Sequence, residues 1–405
     1  MFYGWFIVAS AFLTLMVSTG FYTYSFGLLV LPLEQEFGVS RADIMLGPTL
    51  AAMAGLLISP IVGQLVDKWS VRWILSIGSL IMSAAMLLLS LATSINQFIA
   101  IFGVMMCLAM ATTGPIPNNT VVSRWFSNNR GKALGFAALG TSIGGMAIPL
   151  LMTWWLDAFG WRITLQLLAL TNLVLVFPAV FFLVRDNPQM KGLLPDGIKP
   201  LDHDGNTPPP PQPNLSNKDI LKKSSFWLVG SCLGFLFMVY SATMTNLPPM
   251  AIGLGIEATQ AAGLITVVAI CGLLGKLVFG YAADVISLRV GLWLAIGLAG
   301  IGIAIFATEP GYPMLVAGSM AIGFAAGGML PVWGNLMAAL FGTISYGRAM
   351  GLMTPLTGLF VMPGYFLAGV IYDQTGGYTW AMYLFLSFLL IAACLLIPLK
   401  MPQRQ

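Results

Sequence analysis

The stretch Gly63–Arg72, GQLVDKWSVR, sets a glycine, an acid and an arginine on a polar turn between two apolar runs. The same three residue types recur in GYAADVISLR, Gly280–Arg289, each displaced by 217 positions. Three further landmarks lie 216 apart: KALG at Lys132–Gly135 with RAMG at Arg348–Gly351, Asp157 with Asp373, and Pro115 with Pro331. Four landmarks at one nearly constant offset, about half of 405 residues, read as an internal duplication.

The runs around these turns are too apolar for a soluble protein. Charged residues make up 8% of the chain and hydrophobic residues 58%, whereas a soluble domain carries roughly 25% charged residues. That composition excludes a soluble enzyme and a disordered chain, and it points into a membrane. Cys107, Cys232, Cys271 and Cys394 lie in apolar runs without metal-ligand spacing and read as small buried hydrophobes. The single histidine, His203, lies in a polar loop. No metal, cofactor, catalytic residue or nucleic-acid partner is expected, and an enzyme is not.

A spanning helix needs about 20 mostly apolar residues. Charges and Pro/Gly clusters divide the chain into twelve such runs, near 4–32, 44–66, 73–92, 97–122, 133–156, 163–184, 226–248, 260–283, 290–308, 312–340, 348–372 and 379–399. No water satisfies open strands inside a bilayer, so these segments are expected as helices. The first begins at Tyr3 with no basic residue before it, and reads as a span rather than a cleaved signal. The only long polar stretch, with prolines 208–211, separates the sixth and seventh spans. The expected organisation is a six-helix bundle over 1–184, a stiff cytoplasmic linker over 185–225 and a second six-helix bundle over 226–405. With both termini cytoplasmic, the inner loops and tail hold fifteen Lys and Arg residues, while the outer loops hold only Arg41 and Arg162. The positive-inside rule selects that orientation.

With its twin G-x-x-x-D…R turns, the chain resembles the major facilitator superfamily over its whole length. Gly63, Asp67, Lys68 and Arg72 fit that family's loop signature between helices 2 and 3, with Ser70 where glycine is usual. Gly280, Asp284 and Arg289 form the second copy. RWFSNNRGKALGFAALGTS, Arg124–Ser142, is similar to the helix 4–5 segment of the monocarboxylate and oxalate–formate branch. The resemblance implies an all-α membrane protein of twelve transmembrane helices in two pseudo-symmetric six-helix bundles. It also implies a monomer in a bacterial inner membrane that transports a small organic anion.

Lys276 carries the most weight. It is the only Lys or Arg placed inside a span, and no acid shares that span. It precedes Asp284 by eight residues, about 12 Å along a helix, against a half-thickness of about 15 Å for the hydrocarbon layer. An ionisable residue near the midplane is a functional candidate by default. The resemblance adds that the branch places a carboxylate-binding arginine at this position, four before the glycine of the second signature. The charge is kept here and the residue type is not. The bland alternative is a lysine that snorkels to water or sits deprotonated.

In this superfamily helices 1, 4, 7 and 10 line the central path. Their polar residues here include Ser18 and Tyr22, Asn118 and Asn119, Tyr240 and Thr243, and Trp333 and Asn335. Together with Lys276 they form the candidate substrate site. Neutral donors beside one cation suit a small carboxylate with an apolar or aromatic body; the alternative is hydrogen bonding between helices. Asp67, Arg72, Asp284, Arg289, Arg348 and Lys132 form the candidate gate. Pseudo-symmetry pairs Asp67 with the start of helix 11 at Arg348, and Asp284 with the start of helix 5 at Lys132, where free N–H groups and the helix dipole favour an anion. The alternative is that these charges only set topology.

The expected function is alternating-access transport of a small organic anion, a monocarboxylate, across the lipid bilayer. Coupling to a proton or to an exchanged anion is left open, as is direction. The competing reading is an exporter of drugs or siderophore-like compounds, which fits the 24 Met and 25 Phe residues but lacks a basic residue in helix 4.

Overall fold

A computed structural model describes the chain except residue 1, 127–128, 194, 198–214, 286, 342–344 and 400–405. Among the described residues, eleven helical stretches are long and apolar enough to cross a membrane. The longest, Lys132–Leu183, breaks at Gly160, where φ is 75° and ψ 170°. Only glycine adopts that backbone without strain. The break divides the stretch in two and yields twelve spans: α1 (Gly4–Phe37), α2 (Arg41–Lys68), α3 (Val71–Ser90), α4 (Ile95–Trp125), α5 (130–159), α6 (161–183), α7 (Ser224–Gly253), α8 (Ala258–Val285), α9 (Leu288–Phe306), α10 (Tyr312–Phe341), α11 (Tyr346–Thr375) and α12 (Thr379–Leu396). The chain is thus an all-helical membrane protein.

Several of these helices are irregular. The first runs to Phe37, past the expected end near 32, through a π-helical segment Gly20–Ser25 and a 3-10 turn Phe26–Leu29. The fourth contains a second π segment, Ile101–Met106, and breaks at Gly114 before Pro115. Contacts divide the chain into two units: Met1–Val39 with Leu46–Asn206, and Ser40–Met45 with Thr207–Gln405.

In the first unit, Ile7, Ala11 and Leu15 of α1 form a core with Val71 and Leu75 of α3, Val121 and Trp125 of α4, and Val176 and Val180 of α6. Two polar contacts pin its end: Trp125 Nε1 donates to the Arg185 carbonyl (2.7 Å), and Tyr3 Oη to that of Leu183 (2.8 Å). Arg162 donates to Glu36 at 2.7 Å, but both side chains are more than a third exposed (36% and 44%), so the pair adds little.

In the second unit, the segment Ser40–Met45 packs against α11. Arg41 is buried, with its guanidinium 3.6 Å from the centre of the Tyr372 ring and its Nη1 donating to Tyr378 Oη at 3.0 Å. The N–H groups of Arg41 and Ala42 donate to the Asp373 carboxylate at 3.0 and 2.8 Å. These N–H groups belong to the first turn of a helix, which offers them no acceptor of its own, and the carboxylate also faces the positive end of that helix. Gly369 permits the approach, because a Cβ there would lie 2.8 Å from Ala42 Cα. Replacing Asp373 by alanine is expected to lower stability by about 1–2 kcal/mol, read as a fall in Tm, with Asp373→Asn intermediate.

The connecting segment holds a short helix, Asn217–Lys222, started by a reciprocal capping box between Ser216 and Asp219. The Ser216 hydroxyl and N–H hold the exposed Asp219 carboxyl below its usual range. Ser216→Ala is expected to return that titration towards the ordinary value, measurable by NMR. A depressed folded-state pKa means that this cap supports the helix above the unfolded value and is lost as pH falls through the folded one. The prolines 208–211 lie outside the described residues.

One cysteine differs from expectation. Cys107, Cys232 and Cys271 are buried, but Cys394 on α12 is exposed. An apolar run has the same composition on the core-facing and outward sides of a membrane helix, so the run alone does not separate them.

Candidate functional site

Lys276 is half-buried on α8, and its backbone is fixed by an unusually close contact with α10. Gly323 and Gly327 of α10 face Gly272 and Gly275 of α8. A Cβ on Gly327 would lie 2.8 Å from both Gly275 Cα and Lys276 N, and would run into the Gly272 carbonyl oxygen. A Cβ on Gly275 would lie 2.7 Å from the Phe324 carbonyl oxygen. Small residues four apart let helix backbones touch in this way. The stem of Lys276 therefore starts from a rigid seam rather than a loose helix face.

Elsewhere in the second unit, buried polar atoms have no hydrogen-bond partner among the described residues. Thr243 Oγ1 and Asn246 Oδ1 of α7 are two, and Trp333 Nε1 of α10 is a third. The Asn246 amide nitrogen is engaged, donating to the Ala242 carbonyl at 2.9 Å. The Trp333 ring packs edge-on against Phe237 of α7, with centroids 5.5 Å apart. Tyr240 is half-buried on the same helix. Burying a polar atom unpaired costs about 1–3 kcal/mol, so such atoms in a native fold ask for a further partner. Thr243 and Trp333 can both donate, as can an ammonium. Asn335 lies outside the side chains described.

In the first unit, the candidates have more varied surroundings. Ser18 is buried and donates to the Thr14 carbonyl of its own helix at 2.7 Å, so its hydroxyl is engaged locally. Tyr22 is half-buried in the π segment of α1 and stacks on Phe102 of the α4 π segment, with centroids 5.7 Å apart and planes at 4°. Asn118 repairs the break in α4. Pro117 has no N–H for the Thr113 carbonyl, and Asn118 Nδ2 supplies that bond at 2.7 Å and another to the Gly114 carbonyl at 2.9 Å. Its Oδ1 is buried and has no hydrogen-bond partner among the described residues. Asn119 is exposed on the next position.

The gate candidates divide similarly. Arg72 Nε donates to the Phe181 carbonyl at the end of α6 (2.8 Å). Arg289 Nη2 donates to the Ile397 carbonyl just past α12 (2.9 Å). These are equivalent bonds in the two repeats, and each ties a signature turn to the last helix of its own unit. Lys132 is exposed. Asp67, Asp284 and Arg348 lie outside the side chains described. Sequence reading had passed over the seam glycines 323 and 327, although their four-residue spacing in GFAAG was a legible signal. Among the described residues no group of three or more His, Cys, Asp or Glu is placed to hold a metal ion.

Among the described residues, twelve apolar helical spans from a duplicated sequence fit a membrane transporter. The family model of the Major Facilitator Superfamily matches residues 10–262 and 231–405, and the chain belongs to that superfamily. It is 27% identical to monocarboxylate transporter 13 of Bos taurus over 98% of this chain and 89% of that protein. It is 25% identical to monocarboxylate transporter 11 of Mus musculus over 96% and 85%. In fold it is similar to a bacterial homologue of the human lysosomal transporter Spinster, solved in an inward-facing, unoccupied conformation. That likeness has a TM-score of 0.75 at 16% identity, over 97% of this chain and 96% of the other.

Proposed function

We propose that this transporter moves a small monocarboxylate by alternating access, with Lys276 as the carboxylate anchor. The observation that carries the reading is Lys276 on the α8–α10 seam, in a unit whose buried Thr243 hydroxyl and Trp333 indole N–H have no hydrogen-bond partner among the described residues. An ammonium and two neutral donors are the complement of one carboxylate. The names of the mammalian relatives, monocarboxylate transporters 13 and 11, support the same class.

The chemistry follows from the setting. A carboxylate leaving water loses hydration, and a charge-assisted bond to Lys276 offsets that loss more effectively than a neutral donor does. An ammonium is a point charge with rotatable donors, whereas a guanidinium grips both oxygens in a fork. The anion is held by charge and oriented by neutral groups of the same unit, Thr243, Tyr240 and Trp333. Binding that favours an occluded state over the open ones lowers the cost of crossing between them. Asp67, Asp284, Arg348 and Lys132 are the proposed gate residues on the grounds of pseudo-symmetry, and Arg72 and Arg289 tie each signature turn to the last helix of its own unit. The membrane is a bacterial inner membrane, with both termini cytoplasmic.

Counterflow in proteoliposomes tests the class. Labelled carboxylate is expected to accumulate against internal unlabelled carboxylate in wild-type vesicles and not in Lys276→Ala vesicles. Equal counterflow in both, or counterflow only with neutral compounds, would refute the anchor.

A further inference from the structure

The second unit holds a cavity of about 140 Å³ at the end away from its signature turn. Alternation of the helices brings three connections to that end, those following α7, α9 and α11. Pro249 and Met250 of α7, Phe306 at the end of α9, Glu309, Tyr372 and Tyr378 line the cavity. Every lining residue belongs to the second unit.

The carboxylate of this cavity is set in place at a cost to the backbone. Glu309 has a φ of 48°, a left-handed conformation that residues other than glycine seldom adopt. The hydroxyl of Thr379, at the start of α12, donates to Glu309 Oε1. The same oxygen lies 3.4 Å from the place that a Cβ on Gly377 would occupy, so it sits against the α11–α12 turn. One hydroxyl uses one of the roughly four acceptor positions of a carboxylate. A strained residue held in this way is a candidate for function.

Charge and lining choose the ligand. That end of the unit holds one basic residue, Arg41, against four acids, Asp43, Glu257, Glu309 and Asp373. The balance repels an anion and attracts a cation. Tyr372 and Tyr378 pack with ring centroids 4.8 Å apart, and Arg41 shows that this pair accepts a cation, its guanidinium lying 3.6 Å from the centre of the Tyr372 ring. Aromatic faces beside a carboxylate suit an alkylated ammonium. An apolar cavity of roughly 150 Å³ admits benzene, so this one has room for a trimethylammonium group and not for a much larger body.

We propose that this cavity binds a small alkylammonium compound, with Glu309 as its counter-ion and Tyr372 and Tyr378 as its aromatic wall. Lys276 lies eighteen residues along α8 from Ala258, about 27 Å of helix. The site is therefore separate from the carboxylate anchor and does not rest on that reading.

The test measures stabilisation of the purified full-length protein by choline chloride, by sodium chloride at the same ionic strength, and by dimethylbutanol, the uncharged carbon isostere of choline. Choline is expected to raise Tm beyond sodium chloride and to bind about tenfold or more tightly than dimethylbutanol, because only the cation gains from the aromatic faces and the carboxylate. Glu309→Gln keeps an acceptor for Thr379 and is expected to remove most of that preference. Glu257→Gln, at the same end but outside the cavity lining, is expected to leave it unchanged. Should Glu309→Gln not yield folded protein, Gly253→Leu makes the test by filling the cavity, since nothing lies within 4 Å of a Cβ there, and is expected to abolish choline binding. No stabilisation by choline beyond salt, or equal affinity for choline and dimethylbutanol, would overturn the proposal. So would an equal loss in Glu309→Gln and Glu257→Gln, which would leave only a diffuse surface charge.

Discussion

Lys276→Ala is expected to lower carboxylate uptake at low substrate concentration by about a hundredfold or more. Truncating one partner of a buried, hydrogen-bonded charge pair typically costs 2–5 kcal/mol, and 1.4 kcal/mol is tenfold in affinity. The loss should be in binding and transport, not in fold, because alanine keeps the helix propensity of α8 and leaves the seam glycines untouched. Lys276→Arg is the informative companion. It keeps the charge on a bulkier fork, so it should retain a large part of the uptake while changing the preference among carboxylates. Uptake into proteoliposomes at several concentrations separates a rise in KM from a fall in maximal rate.

Gly327→Val should be more damaging still, and for a different reason. A Cβ at 327 already meets Gly275 Cα and Lys276 N at 2.8 Å, and the atoms in its way are backbone, which has no rotamer to change. The two helices must separate over at least a turn. Overpacking a close-packed interface costs typically 1–3 kcal/mol, and here the separation also displaces the stem of Lys276. We expect a lower Tm together with loss of carboxylate binding. By contrast, Gly55→Ala in the first unit adds a methyl to open space and should leave the folding free energy within about 0.5 kcal/mol of wild type. Parallel melting curves of the two variants, with and without carboxylate, check both statements.

These contrasts show where the sequence was informative. The class of fold was legible because a duplicated Gly–Asp–Arg turn and long apolar runs leave few alternatives once lipid is the solvent. The internal break of the longest helical stretch turned on one glycine, Gly160, whose backbone φ of 75° no composition reveals. Side-chain roles were harder to read. Ser18 and Tyr22 share one helix face in sequence, yet the Ser18 hydroxyl is bonded back to its own helix while Tyr22 lines a cavity. A face assignment cannot distinguish the two, because serine can satisfy itself locally and tyrosine cannot. The Asn118 amide nitrogen serves carbonyls at the Pro117 break, which no face assignment reveals, and Oδ1 is left for another partner. The spacing of Gly323 and Gly327 in GFAAG is visible in the sequence, but which helix they meet is not, because one spacing serves contact with any neighbouring helix.

The most direct test of the central claim is thermal stabilisation of the purified protein by a panel of mono- and dicarboxylates, run beside Lys276→Ala. A ligand that binds only the folded state raises its stability by about 2.7 kcal/mol at a hundred times Kd. The account predicts that particular monocarboxylates raise the Tm of the wild type and leave that of Lys276→Ala unchanged. Equal shifts in both proteins, or no shift with any carboxylate while neutral hydrophobic compounds stabilise both, would contradict it and turn the assignment to a hydrophobic-compound exporter.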